Sequence, residues 1–231
     1  MKKLFGSDQI WKGMLINHLI KDLNFSSYLE LGVAIGSSWK KIKCRVKTGV
    51  DISNLEMPLT REGDTVHNFS STTTDDFFKI WDTNKKIDII YIDALHEKEQ
   101  VKRDFFNSIN VLSNNGVIIL HDINPLDEEG TSQNVSGDAF AFWIELCDNN
   151  NNNFYTFKPP RDRSQFIGAN DASHEDTVGI YTHNKELKKS LKKEYQHNLD
   201  HSFTFFDENR EKYIKDRQVD FKTLVDLIKN R

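Results

Sequence analysis

Between residues 28 and 122, short apolar runs of strand length alternate with stretches of helical period, and few folds accept that alternation. The run 87–92 is almost wholly apolar, the pattern of a strand buried on both faces. Further strands are predicted at 28–31, 46–50, 65–69 and 117–120. Helices are predicted at 37–43, 75–81 and 97–112, the first capped by Ser37 or Ser38. Asn114-Asn115-Gly116 reads as a turn that introduces the 117–120 strand. Strands joined through helices pair in parallel, by right-handed βαβ units. Flanking this stretch, the apolar spacing of Trp11, Met14, Leu15 and Leu19 predicts a helix over 8–23. A helix over 138–147, two strands at 154–157 and 178–182, and a charged helical tail over 185–231 follow. In that tail Phe221, Leu224, Val225 and Ile228 form one apolar face.

A chain of 231 residues suits one large α/β domain. Its parts are an N-terminal helical cap (1–25), a core (26–183) and a C-terminal helical extension (184–231). Sixteen phenylalanines are expected to carry much of the apolar core. A net charge of −4 gives no electrostatic reason to expect nucleic acid. Cys44 and Cys147 stand apart, with no disulfide framework, and no apolar run reaches membrane-spanning length. These features predict a cytoplasmic protein with neither a nucleic-acid nor a membrane partner. The N-terminal helix is suited to covering an acceptor site, to a dimer contact that would make a homo-oligomer, or to plain packing on the sheet.

The segment Glu30-Leu31-Gly32-Val33-Ala34-Ile35-Gly36 lies between the first predicted strand and its helix. Gly32 can adopt a backbone conformation closed to other residues, and Gly36 lets a ligand approach closely. Asp51 ends the next strand, where a carboxylate can accept both hydroxyl hydrogens of a ribose. The glycines alone fit an ordinary strand–helix turn. Strand, glycines, helix and acidic strand end in order make a nucleoside-binding fingerprint. Glu30 at its head suits the cationic methionine end of S-adenosylmethionine and would repel a pyrophosphate.

The fourth strand ends in Asp93-Ala94-Leu95-His96, and the fifth in His121-Asp122-Ile123-Asn124. In an open parallel sheet ligands bind beyond the carboxyl ends of the strands, so these residues converge if the two strands are neighbours. His96 or His121 then suits a general base. Asp93, Asp122 and Asn124 suit a divalent cation such as Mg²⁺ held by oxygen ligands. The plainer alternative has the aspartates capping turns and the histidines bonding to them.

The segments Tyr28–Val33, Val50-Asp51, Ile92–His96 and Gly116–Asp122 resemble the class I methyltransferase group known as methyltransferase domain 24. Gly137–Trp143 and Phe205–Arg210 resemble its downstream segments. The resemblance implies a Rossmann-like, doubly wound, seven-stranded sheet, mostly parallel with the last strand antiparallel and helices on both faces. It implies S-adenosylmethionine as methyl donor. Glu30, Gly32, Val33 and Gly36 would line its methionine end, Asp51 the ribose, and Ser71, Thr72 and Thr73 the adenine. Asp93 and Ala94 would adjoin the transferred methyl. The group usually has glycine where this chain has Ala94, which narrows the space there. Relatives point to O-methylation of a small hydroxylated acceptor, a sugar or natural product. An NAD-dependent oxidoreductase and a non-catalytic nucleoside-binding module are the alternatives.

The remaining features are less specific. Lys158, Arg161 and Arg163 suit an anion clamp or, preferably, a solvated loop. Lys188, Lys189, Lys192 and Lys193 read as a solvated helix face, and Arg210 as a pin for the C-terminal helix.

Overall fold

The computed structural model describes residues 8–53, 61–62, 65–149, 153–159, 177–183 and 200–230. Strands β1 (Ser27–Leu31), β2 (Val46–Asp51), β3 (Arg61–Glu62), β4 (Thr65–Ser71), β5 (Ile87–Ile92), β6 (Leu112–Leu120), β7 (Phe154–Phe157) and β8 (Val178–Thr182) form one sheet. Their order is β3-β4-β2-β1-β5-β6-β8-β7. Strands β4, β2, β1, β5 and β6 run parallel. Only β8 opposes its two neighbours on that side, pairing antiparallel with both β6 and β7. The seven strands expected are therefore present with the last in sequence reversed. The two-residue β3, antiparallel to β4, adds a short edge that the sequence pattern does not announce.

Helices cover both faces. On one lie α2 (Thr74–Ile80), α3 (Lys98–Val111), α4 (Ala139–Asn149) and α5 (Phe203–Glu208), and on the other α1 (Asp8–Asp22) and α6 (Phe221–Lys229). Helix α2 starts where Thr73 accepts the Asp76 amide, and α6 where Asp220 accepts the Thr223 amide; both are side-chain caps. Leu224, Val225 and Ile228 of α6 are buried beside Trp11, Leu15 and Leu19 of α1. No helix among the described residues is long and apolar enough to cross a membrane. Residues 160–176, 184–199 and 150–152 lie outside the described residues, and with them Arg161, Arg163 and the four lysines of 188–193.

Two local predictions need correction. The helix expected over 37–43 is a single 3-10 turn, Trp39–Lys41. Ser38 does not cap it, because its hydroxyl donates to Glu30 in the core. The buried Lys47 ammonium donates to the Trp39 carbonyl at 2.8 Å, taking up an acceptor that a continuing helix would use. Second, Asn114-Asn115-Gly116 does not precede the strand but lies inside β6. The pairing passes from Ile87↔Leu112 to Ile89↔Val117, so the three residues form a bulge that the neighbouring strand does not match.

The phenylalanine-rich core is real and is centred on Phe105 of α3. Its ring lies 5.4–6.2 Å from those of Phe106, Phe142, Phe154 and Tyr181. Because Phe105 is fully buried and joins α3 and α4 to the sheet, Phe105→Ala should cost about 3–5 kcal/mol. Urea unfolding followed by circular dichroism measures this; a loss under 1 kcal/mol would show that the site collapses around the smaller side chain.

Candidate active site at the switch point of the sheet

The strand order reverses between β1 and β5, so the loops that follow them diverge and leave a crevice. Asp93 N donates to Leu31 O, which fastens the loop after β5 beside that after β1, and Gly32 N donates to Val50 O of β2. Gly32 has φ +85°, and a Cβ there would stand 2.0 Å from the Asp93 carbonyl oxygen. Both the backbone angle and the close approach therefore require glycine. Ala34 (φ +45°) and Gly36 (φ +78°) continue the left-handed backbone. Ala34 is held there by its amide, which donates to Asp51 Oδ2 at 2.7 Å.

A cavity of about 640 Å³ opens over these loops, within the range typical of small-molecule sites. It is lined by Gly32, Val33, Asp51, Thr72, Thr73, Asp93, Ala94, His96, His121 and Asp122 among the residues expected from sequence. Four expected residues do not line it: Glu30, Gly36, Ser71 and Asn124. Ser71 instead donates to the Ser53 carbonyl at 3.3 Å. Asp51 Oδ1 accepts from both the amide and the hydroxyl of Ser53, at 2.8 and 2.5 Å. Burial works to raise the Asp51 pKa, but the hydrogen bonds from Ser53 and Ala34 prevail and lower it, so the carboxylate stays ionised beside the cavity.

Glu30 faces the core. Tyr28 Oη donates to one carboxyl oxygen at 2.7 Å and Ser38 Oγ donates to the other. Its side chain is 0% exposed, and burial pushes its pKa up from 4.5 to about 8 against those two hydrogen bonds. The expectation that it reaches toward a cationic ligand is not met in this arrangement. The alternation of strand side chains explains the outcome: Glu30 points to the face where Tyr28 and Trp39 pack, 6.2 Å apart.

The acidic and histidine residues do converge. Asp122 Oδ2 lies 2.7 Å from His121 Nδ1 and 3.1 Å from His96 Nε2. Asp93 Oδ1 lies 3.0 Å from His121 Nδ1 and 3.7 Å from His96 Nε2, while Tyr91 Oη donates to Asp93 Oδ2 at 3.1 Å. Burial opposes ionisation of Asp93, but the charge and hydrogen bond of His121, aided by His96 and Lys12, hold it well below the usual carboxylate range. The His96 pKa is raised, chiefly by its hydrogen bond with Asp93. Asp122 adopts φ +57°, a conformation that aspartate tolerates better than most residues. Asn124 turns away: its Oδ1 accepts from Arg210 and its Nδ2 donates to Thr177 Oγ1 at 3.3 Å. Among the described residues, Asp93, His96 and Asp122 have ligand atoms within 4.8 Å of one another, so His96 takes the place expected of Asn124.

Residues 29–123 match the family model described as a methyltransferase domain. That stretch, from β1 to just past β6, is similar to a methyltransferase domain. The segments 137–143 and 205–210, which also carry the resemblance, lie beyond the matched stretch. Among solved structures, the chain is similar to a protein from Klebsiella pneumoniae provisionally named an O-methyltransferase. The TM-score is 0.50 and the identity 10%, over 75% of this chain and 80% of that one. It is also similar to the cofactor-bound Rv0187 protein from MTB, with TM-score 0.51 and identity 12%, over 74% of this chain and 78% of that one. At these identities the likeness shows the fold. A comparison with curated proteins returns no match.

The cavity gathers residues that the sequence pattern does not single out. Ile35, Ile52, Leu95 and Val135 are exposed apolar side chains, and all four line the cavity. Thr74 and Gln100 also line it, with Gln100 Nε2 donating to Thr74 Oγ1 and to the buried Asp104. Ile35, Ile52 and Leu95 each adjoin a predicted site residue, which was an available signal; Gln100 and Val135 arrive from separate turns of the chain and had none.

Glu30 makes the domain's stability pH-dependent. Between about pH 4.5 and 8 the native carboxyl keeps a proton that the unfolded chain has lost, so stability falls as pH rises through that window. Glu30→Gln cannot ionise and should remove that decline, which amounts to at most about 1.4 kcal/mol per pH unit. Urea midpoints of both proteins from pH 5 to 8 test this; parallel slopes would show that Glu30 ionises freely in the native state.

Proposed function

We propose that this domain transfers a methyl group from S-adenosylmethionine to a hydroxyl oxygen of a small hydroxylated acceptor, such as a sugar or natural product. The observation that carries the reading is one cavity bordered by the glycine loop, by Asp51 and by the paired Asp/His groups. Gly32 lets the glycine loop lie against the Asp93 backbone, so that Val33 and Ala34 line the cavity beside Asp93. Asp51 keeps an ionised carboxylate at the end of β2, the place from which it would accept ribose hydroxyls. The match of residues 29–123 to a methyltransferase domain supports a methyl donor over a nicotinamide cofactor. The O-methyltransferase name of the Klebsiella pneumoniae protein supports oxygen as the atom methylated.

When bound, S-adenosylmethionine supplies an electrophilic methyl on a cationic sulfur and departs as the neutral thioether. The chain holds the acceptor in line and takes its proton. His96 is suited to that proton: its ring lines the cavity, and its Nε2 is steadied by Asp122 and Asp93. His121 is less free, because its Nε2 faces Lys12 Nζ and its Nδ1 lies between the two carboxylates.

A second reading rests on Asp122 Oδ2, which is buried without an aligned hydrogen-bond partner. A divalent cation held by Asp93, His96 and Asp122 would satisfy it and would acidify a bound hydroxyl. The two carboxylates suit Mg²⁺ or Mn²⁺, and the imidazole admits a transition metal. In that case His96 is a ligand and not the base.

Calorimetry with S-adenosylhomocysteine and with NAD separates the cofactor readings. The first should bind and the second should not, and Asp51→Ala should weaken S-adenosylhomocysteine roughly tenfold or more, as expected for lost ribose hydrogen bonds. Binding of NAD alone would overturn the proposal. On a panel of hydroxylated acceptors, His96→Ala and Asp122→Ala should lower turnover by at least about 100-fold while S-adenosylhomocysteine still binds. Mn²⁺ binding to wild-type protein but not to Asp122→Ala would select the cation reading, and its absence the base.

A further inference from the structure

Lys12 is a lysine buried to 5% exposure, and its partner is in the active site. It lies on α1, whose Trp11, Leu15, Ile16 and Leu19 are buried against the sheet. That packing carries the Lys12 side chain to the edge of the Asp/His cluster, where Nζ contacts His121 Nε2 across 109 residues of sequence. Burying an ammonium is costly unless it is paired. The groups that face it are His121 and, beyond that ring, Asp93 and Asp122, with His96 between the same carboxylates. The charge of Lys12 acts on both Asp93 and His121.

We infer that Lys12 is a positioning residue of the active site, by which the N-terminal helix supplies a fixed positive charge opposite Asp93 and Asp122 and anchors His121. This rests on the proposed use of S-adenosylmethionine. The physical consequence is that the site is kept from becoming a strong trap for the cationic donor. Two carboxylates beside a sulfonium favour the cationic reactant over the neutral thioether product. A resident ammonium offsets that preference.

The affinity ratio of S-adenosylmethionine to S-adenosylhomocysteine reads this charge without an acceptor, since the two differ by the methyl and its positive charge. Lys12→Met keeps the apolar stem and removes the ammonium. It should tighten S-adenosylmethionine by roughly tenfold while leaving S-adenosylhomocysteine near its wild-type affinity. Lys12→Arg should restore the wild-type ratio. Should Lys12→Met fail to fold, Lys12→Gln provides the same comparison. An unchanged ratio, or equal weakening of both ligands, makes Lys12 a structural residue and overturns the inference alone. Wild-type protein that binds neither ligand overturns the methyl-donor reading and the inference with it.

Discussion

The close approach of Gly32 to the Asp93 carbonyl sets the geometry on which the site depends. Strands β1 and β5 are adjacent, yet the chain leaves them in opposite directions along the sheet. The two loops can share the space above only if one of them lacks a side chain at the crossing. With glycine there, the backbone of one loop lies against the other, and Asp93 projects into the cavity beside Val33 and Ala34. The left-handed angles at Ala34 and Asp122 sit on either side of the same crevice. Such strain persists when neighbouring contacts hold it. Here the Asp51 carboxylate holds Ala34, and Arg210, through Asn124 and the Pro125 carbonyl, braces the segment just after Asp122.

Buried polar and charged side chains organise the domain at two depths. In the core, Glu30 and Lys47 are both buried, and each finds polar partners in the same short turn: Glu30 from Ser38, Lys47 at the Trp39 carbonyl. This pair of contacts shortens the expected helix to one turn. Nearer the cavity, two carboxylates, two imidazoles and one ammonium share a small volume. Hydrogen bonds and opposite charges hold them there, since none would remain charged and buried alone. The apolar side chains of Ile35, Ile52, Leu95 and Val135 surround this polar floor. The combination is an apolar-walled pocket with a few oriented polar groups, the usual form of a small-molecule site.

The legibility of the sequence followed the range of the interactions. Strand positions were readable because apolar runs and period-two burial are local properties, as in Ile87–Ile92. The aspartates and histidines at the ends of β5 and β6 were readable because a parallel sheet places successive strand ends together. Glu30 was placed toward the ligand from its position in the loop motif, whereas the pleat of β1 sends it to the opposite face. Asn124 was grouped with Asp122 by proximity in sequence. Its partner Arg210 lies 86 residues on, and no local pattern announces that bond. The bulge at Asn114–Gly116 looked like a turn because the same residue types serve both, and only the pairing with β5 distinguishes them.

Sequence by itself determined the alternating α/β architecture, the glycine crossing, the carboxylate at the end of β2 and the paired acid and imidazole groups. These follow from residue type and spacing along one strand–loop–helix unit at a time. Tertiary structure decided which of those side chains face the cavity, that His96 and not Asn124 completes the acidic group, and that Lys12 of the first helix reaches His121. Each of those outcomes depends on two elements distant in the chain being packed to within a few ångströms, and packing at that range leaves no periodic trace in the sequence.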